Sequence, residues 1–433
     1  MKIYIEHNGC LNLALDYNVM LYALKQAQHE LVQDSQNADV IIFAGCGVRS
    51  EWVSNAIRRI NSLDIGHKEV IITGCIANIE TERIRKMVNT NHLSFNNIKD
   101  IVNTFTLLDF DGLSRVFSQN ETTNFMGDNP LRNKIGGKEK VLQFIQKLDK
   151  KYNTSAELFF KNNTSGYAFY HEDEPVEFIV AARGCPYRCT YCTIPKGRGA
   201  YESVKIESIL YKVENAVRNH RYKIIIIGDE LGNYGYDFKD GTNFKTLIDS
   251  VLMVDSRINI SLRYIEPIPF IRYYDVIASY CYNKRISLIH LPIQSGAQSV
   301  LTAMNRNYNI NKLIGLCEPL TKETSTIFCT NWLVGFPTES DIDFNMTIQA
   351  AKRLNFNLNT IIPYSPRPDT IAISLPQLNS ESTIRFRRNT LEHIILEFKF
   401  AQLLKQIPPI STIEKEQLWE LIQNAEDSPI KQL

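Results

Sequence analysis

The sequence predicts an α/β protein: an N-terminal doubly wound parallel-sheet domain, then a partial (β/α)6 barrel. Three observations carry this reading. Short apolar strands alternate with helical patterns through residues 1–95. From Val176 the alternation resumes and yields six strand-then-helix units. A loop with three closely spaced cysteines follows the first of these later strands, the end at which such barrels place their chemistry.

The first region, 1–95, opens with KIYIEH and a helical stretch from Leu13 to Glu30. DVIIFAG precedes a helix from Trp52 to Ile60, and EVIITG one from Glu80 to Met87. Each strand then runs into a Gly-Cys pair: Gly9-Cys10, Gly45-Cys46 and Gly74-Cys75. Glycine lets backbone approach a bulky group, and ligands of open α/β sheets sit beyond the carboxyl ends of the strands. The three thiols are therefore expected on one sheet edge. The plain alternative is three unrelated core cysteines, since free Cys is often buried.

Residues 96–172 read as a connecting region, with the Asn-, Thr- and Gly-rich NETTNFMGDNP and a helix from Lys138 to Lys151. Its Arg132, Lys134, Lys138, Lys140, Lys150 and Lys151 read as a solvated face. Residues 173–390 hold the barrel strands EFIVAA, KIIIIG, INISLRY, ISLIHLPI, STIFCTNWLVG and NTIIPYS. Helices are expected at Lys205–His220, Asn311–Glu318 and Asp341–Arg353. From about Ser380 the pattern is helical, with Arg385, Arg387 and Arg388 at the start; residues 391–433 form a tail ending in EKEQLWELIQNAE.

Composition bounds the function. The 433 residues are 44% apolar and 22% charged, ordinary for a globular chain long enough for two or three cores. A net charge of +1 argues against a strong non-specific nucleic-acid field but is compatible with a local basic groove. MKIYIEHNGC lacks a signal-peptide core, and the longest aliphatic run, Ile224 to Ile227, is far too short to span a bilayer. The expectation is a cytoplasmic protein without a membrane partner. Its nine cysteines then read as ligands or core residues rather than disulfides.

The cysteine loop is RGCPYRCTYCTIPKGRG, with Cys185, Cys189 and Cys192 spaced Cys-x3-Cys-x2-Cys. Structural zinc usually takes four ligands, and no fourth Cys or His lies nearby. Three thiolates suit an iron–sulfur cluster whose fourth iron is open to a small molecule. Zinc and chance cysteines are the competing readings.

With Tyr191 directly before the last cysteine, the loop resembles that of the radical S-adenosylmethionine (SAM) superfamily. Further pieces follow the later barrel strands: Gly228-Asp229-Glu230, HLPIQSGAQ, VGFPTE (Val334 to Glu339) and PYSPRPDT (Pro363 to Thr370). Together with the three Gly-Cys strand ends, they make the chain resemble the radical SAM methylthiotransferases over residues 1–95 and 175–390. The resemblance implies an enzyme with SAM and two [4Fe–4S] clusters. Cys185, Cys189 and Cys192 would hold the SAM-cleaving cluster, and Cys10, Cys46 and Cys75 the auxiliary, sulfur-donating one. Tyr191 would lie by the adenine, Gly228, Asp229 and Glu230 by the methionine, and Gln294 and Ser295 would line the SAM and substrate pocket. The plainer readings are a salt-bridged Glu230 and a Ser295 close to a helix N-cap. The chemistry is carried by the cofactors, so no side chain is assigned as catalytic.

Asp369 stands where the family commonly has Gly, and Asn331 where an Asp often precedes the strand end. The C-terminal TRAM β-barrel that tRNA-modifying members use to grip RNA is not expected in the helical tail. A peptide or protein side chain is therefore the expected substrate, with a modified adenosine of tRNA as the alternative. An electron donor such as a flavodoxin or ferredoxin is the other expected partner. Cys281, Cys317 and Cys329 match no ligand motif and, like His290, are expected in the core.

Overall fold

The computed structural model describes residues 1–108, 136–154, 176–405 and 410–424, apart from the single positions 49, 64, 90 and 96. NETTNFMGDNP, Arg132 and Lys134 lie outside the described residues. The chain divides into two compact units. One comprises Met1–Met126, Glu177–Ile258 and Ser365–Ser374; the other comprises Gly127–Val176, Asn259–Tyr364 and Leu375–Leu433.

In the first unit, β1 (Lys2–Asn8), β2 (Glu30–Val32), β3 (Val40–Gly45), β4 (Glu69–Thr73) and β5 (Leu93–Ser94) form a parallel sheet, ordered β2-β1-β3-β4-β5. Central strand β3 is buried along its whole length, the reason VIIFAG is a continuous apolar run. On one face, Val40, Ile42 and Ile71 pack with the helices Leu11–Gln26 and Ile98–Phe105. On the other, Ile41, Phe43 and Ile72 pack with Ser50–Ser62 and Thr81–Met87. Helices on both faces make the sheet doubly wound, as predicted. Each of these apolar side chains, removed from water, contributes roughly 2 kcal/mol.

The expected Leu13–Glu30 helix is shorter, Leu11–Gln26. Gln28 at φ 61° turns the chain into edge strand β2, which the sequence reading missed. A second omission is the short helix Cys75–Ile79 that leads out of β4. Both are too short to show a hydrophobic period.

All six expected later strands form. The first unit holds β6 (Val176–Arg183), its short antiparallel partner β7 (Glu202–Ser203), and β8 (Lys223–Gly228). The second holds β9 (Asn259–Arg263), β10 (Ile286–His290), β11 (Ile327–Val334) and β12 (Leu358–Pro363), parallel and ordered β12-β11-β10-β9. The helix expected to stop at Glu318 runs from Ile310 to Glu323 with Pro319 inside it. Proline forfeits one backbone bond, and here the buried Leu320 beyond it keeps the last turn docked.

Also in the second unit, helices Gly136–Tyr152, Glu381–Lys405 and Thr412–Asn424 share a core of Ile145, Leu148, Leu403 and Leu418. Arg387, at the head of the second of these, is buried and donates to Glu339 at 2.7 Å, while Gly335 N–H binds the same carboxylate at 2.7 Å. The VGFPTE turn is thereby fixed from both sides.

Candidate functional site

The carboxyl edge of the first sheet is level. Asn8 pairs with Gly45 across β1 and β3, and Ala44 with Thr73 across β3 and β4. Cys10, Cys46 and Cys75 follow one or two residues later, so three adjacent strands deliver their thiols to one edge. Cys46 N–H binds the Asn8 carbonyl at 2.8 Å, tying two of the strand ends together. Gly74 sits at φ 82°, and a Cβ there would stand 2.8 Å from the Gly45 carbonyl oxygen. Only glycine lets these two backbones meet. Cys46 and Cys75 are buried, whereas Cys10 keeps solvent access. Although part of its surface stays open to solvent, the protein packed around Cys10 pushes its thiol up, with the nearby Cys46 adding to it. Burial also raises Cys75, and both Cys10 and Cys46 push in the same direction. The three thiols therefore sense one another.

The second cysteine loop lies in the same unit, between β6 and the helix Ile194–Arg198. Cys185, Cys189 and Cys192 are all half-buried, as is Tyr191. Cys192 N–H closes a turn onto the Cys189 carbonyl at 3.1 Å. The following helix packs on the Cys75–Ile79 helix: a Cβ on Gly197 would lie 2.8 Å from Ile79 Cδ1 and 3.2 Å from Cys75 Cβ. Asn78 Nδ2 donates to the Gly197 carbonyl at 3.1 Å.

A buried ionic lattice ties these parts together, and sequence reading missed most of it. Arg198 binds Asp229 at 2.9 Å and Asp16 at 2.8 Å. Arg183, ending β6, binds the other oxygen of Asp16 at 2.9 Å. Asp229 also accepts from Gly184 N–H at 2.8 Å and from Asn12 Nδ2 at 2.7 Å. Two carboxylates and two guanidiniums balance, which is what makes the burial of Asp16, Asp229 and Arg198 tolerable, while Arg183 keeps partial contact with solvent. Burial raises the Asp16 carboxyl, but Arg183 and Arg198 outweigh it and hold it below its ordinary range. An acid on the first turns of the helix after Cys10, and basic residues around a cysteine loop, were the available signal; nothing in one sequence pairs them.

The expected SAM contacts separate into groups. Glu230 is buried and caps its own turn, accepting from Gly232 N–H and Asn233 N–H at 2.8 Å each. Asp229 is committed to the lattice above. Gly228 ends β8 with room for little else, since a Cβ would meet the Ala182 carbonyl oxygen at 3.2 Å. In the second unit, Gln294 adopts φ 76°, held by its N–H to the Asn331 carbonyl and its carbonyl from Leu333 N–H, both 2.8 Å. Its buried Oε1 has no hydrogen-bond partner among the described residues. Ser295 is fully buried, and its Oγ accepts from Ala297 N–H at 3.1 Å. His290 is buried, 3.2 Å from Asn331 Oδ1, and burial pushes it down to about 3, with Arg263 acting in the same sense. Cys281, Cys317 and Cys329 are buried.

Residues 2–95 match the model of the Uncharacterized protein family UPF0004, and residues 179–351 that of the Radical SAM superfamily. Two relatives match along most of their length. The probable threonylcarbamoyladenosine tRNA methylthiotransferase of Pyrococcus abyssi is 27% identical, over 92% of this chain and 85% of its own. The tRNA-2-methylthio-N(6)-dimethylallyladenosine synthase of Thermosipho africanus is 26% identical, over 90% and 81%. The chain belongs to the radical SAM methylthiotransferases. In fold it is similar to a radical SAM methyltransferase from Kitasatospora setae solved with cobalamin and a [4Fe–4S] cluster, at TM-score 0.55 and 11% identity, covering 86% of this chain and 76% of that one.

As a radical SAM methylthiotransferase, the protein uses SAM and two [4Fe–4S] clusters. Its residues fit them. Two sets of three thiols lie in one compact unit. Val48 N–H points at Cys46 Sγ and Ile194 N–H at Cys192 Sγ, both 3.4 Å, the donors a cluster thiolate accepts. Among the described residues, no three His, Cys, Asp or Glu side chains converge on a single metal ion. Cluster thiolates bind separate irons and need no such convergence. When bound, the clusters supply the electron that cleaves SAM and the sulfur that is transferred. Among the described residues, no helix is long and apolar enough to cross a membrane.

Proposed function

We propose that this enzyme inserts a methylthio group at an unactivated C–H of a modified adenosine in tRNA. The carrying observation is the pair of relatives above, each named for tRNA methylthiolation and each matched across both cysteine-bearing regions. The peptide or protein substrate expected from the sequence finds no support in them. In this reading, Cys185, Cys189 and Cys192 hold the SAM-cleaving cluster and Cys10, Cys46 and Cys75 the auxiliary one. Tyr191 flanks the adenine. Gln294, with its unpartnered buried oxygen, is the polar contact in the pocket. Gly228, Asp229, Glu230 and Ser295 support the site by fixing the turns around it. A flavodoxin or ferredoxin supplies the electron.

The test is nucleoside mass spectrometry of tRNA from a host stripped of its own tRNA methylthiotransferases, with and without this chain. A methylthio form of a hypermodified adenosine is expected, and the base that gains it distinguishes a threonylcarbamoyl from a dimethylallyl acceptor. Unchanged tRNA alongside a methylthiolated peptide in the same cells would overturn the reading.

A further inference from the structure

Arg367 belongs to PYSPRPDT, far along the chain from the first sheet, yet its side chain ends at that sheet's cysteine edge within the same unit. Its Nη2 donates to the carbonyl of Gly47, the residue after Cys46, and lies 3.3 Å from Glu80 Oε1. Only 6% of the side chain is exposed. Its Nε–H has no hydrogen-bond partner among the described residues. Its charge also interacts with the Cys46 thiol. A guanidinium does not deprotonate in a protein, so this is a fixed positive charge with a spare donor. A buried donor without an acceptor costs about 1–3 kcal/mol. The sulfurs of a cluster on the three thiols are acceptors of the right kind.

We propose that Arg367 is a positioning residue of the auxiliary cluster, donating its Nε–H to a cluster sulfur and favouring the reduced state. This rests on Cys10, Cys46 and Cys75 being the cluster's ligands. Reduction adds one negative charge, which a neighbouring cation stabilises, and hydrogen bonds to sulfur act in the same direction. Glu80, the ion-pair partner, opposes it. Neutralising either residue should therefore move the potential in opposite directions.

The test uses the full chain with Cys185→Ala, Cys189→Ala and Cys192→Ala, so that only the auxiliary cluster is loaded. It is reconstituted anaerobically and titrated with redox mediators, the reduced cluster being read by electron paramagnetic resonance. Arg367→Gln should lower the reduced-to-oxidised ratio at fixed potential about tenfold, a midpoint drop of about 59 mV for one electron. Arg367→Lys should recover most of the parent value, and Glu80→Gln should raise it. An unchanged midpoint in Arg367→Gln, or Arg367→Gln and Glu80→Gln moving together, would overturn the proposal. Should Arg367→Gln lose its cluster, the Arg367→Lys and Glu80→Gln arms decide by the same signs. A parent protein that binds no iron would instead overturn the ligand assignment beneath it.

Discussion

Asp369 shows how one departure from the family pattern is absorbed. It adopts φ 61°, the left-handed region in which the family commonly has glycine. Aspartate tolerates that region better than most residues, at a strain of about 1 kcal/mol. Its carboxylate also meets Lys196 at 2.5 Å, but both groups are well exposed and the pair is worth little. Glycine would remove the strain but add chain entropy of similar size. Asp369→Gly should therefore shift stability by less than about 1 kcal/mol in denaturant unfolding. Asp16 is the opposite case. Its side chain is 8% exposed and serves two guanidiniums, so Asp16→Asn should cost about 3 kcal/mol, because it strands buried positive charge. With the native carboxyl held below its ordinary value, its contribution is complete above about pH 4 and drains away as pH falls through the depressed native value. The gap between wild type and Asp16→Asn should accordingly close in acid. Asp229, expected from the sequence among the SAM contacts, also holds Arg198, Asn12 and Gly184, partners the sequence did not show. A carboxylate's partner 31 or 217 positions away leaves no local trace in the chain.

At the level of elements, the long and buried ones were legible and the short ones were not. β3, β4 and β8 announce themselves as apolar runs because both faces are covered. β2, β5 and β7, two or three residues each, exist through pairing with a neighbour, not through pattern. The Cys75–Ile79 helix matters most among the missed elements, because the helix after the second cysteine loop rests on it at Gly197. Gly197→Leu would drive a branched side chain into Ile79 and Cys75, a small-to-large change of about 1–3 kcal/mol. The expected readout is selective: the iron proposed for Cys10, Cys46 and Cys75 is lost first. Retention of both clusters at wild-type levels would show that this contact does not shape the auxiliary site.

For the whole molecule, the decisive fact is that both cysteine sets fall in one compact unit although 110 positions separate Cys75 from Cys185. The sequence showed two sets at comparable structural steps and could not show the lattice of Asp16, Arg183, Arg198 and Asp229 that joins their supports. The two cysteine sets make a quantitative demand on metal content. Two [4Fe–4S] clusters bring about eight irons and eight sulfides per chain after anaerobic reconstitution. Replacing Cys10, Cys46 and Cys75 with alanine should leave about four, and the remaining cluster should still cleave SAM, since its own ligands are intact. Under the proposed assignment of the auxiliary cluster to this triad, the same protein should yield no methylthio product. If product persisted in that variant, sulfur would have to come from elsewhere, and the auxiliary triad would have a role other than donation.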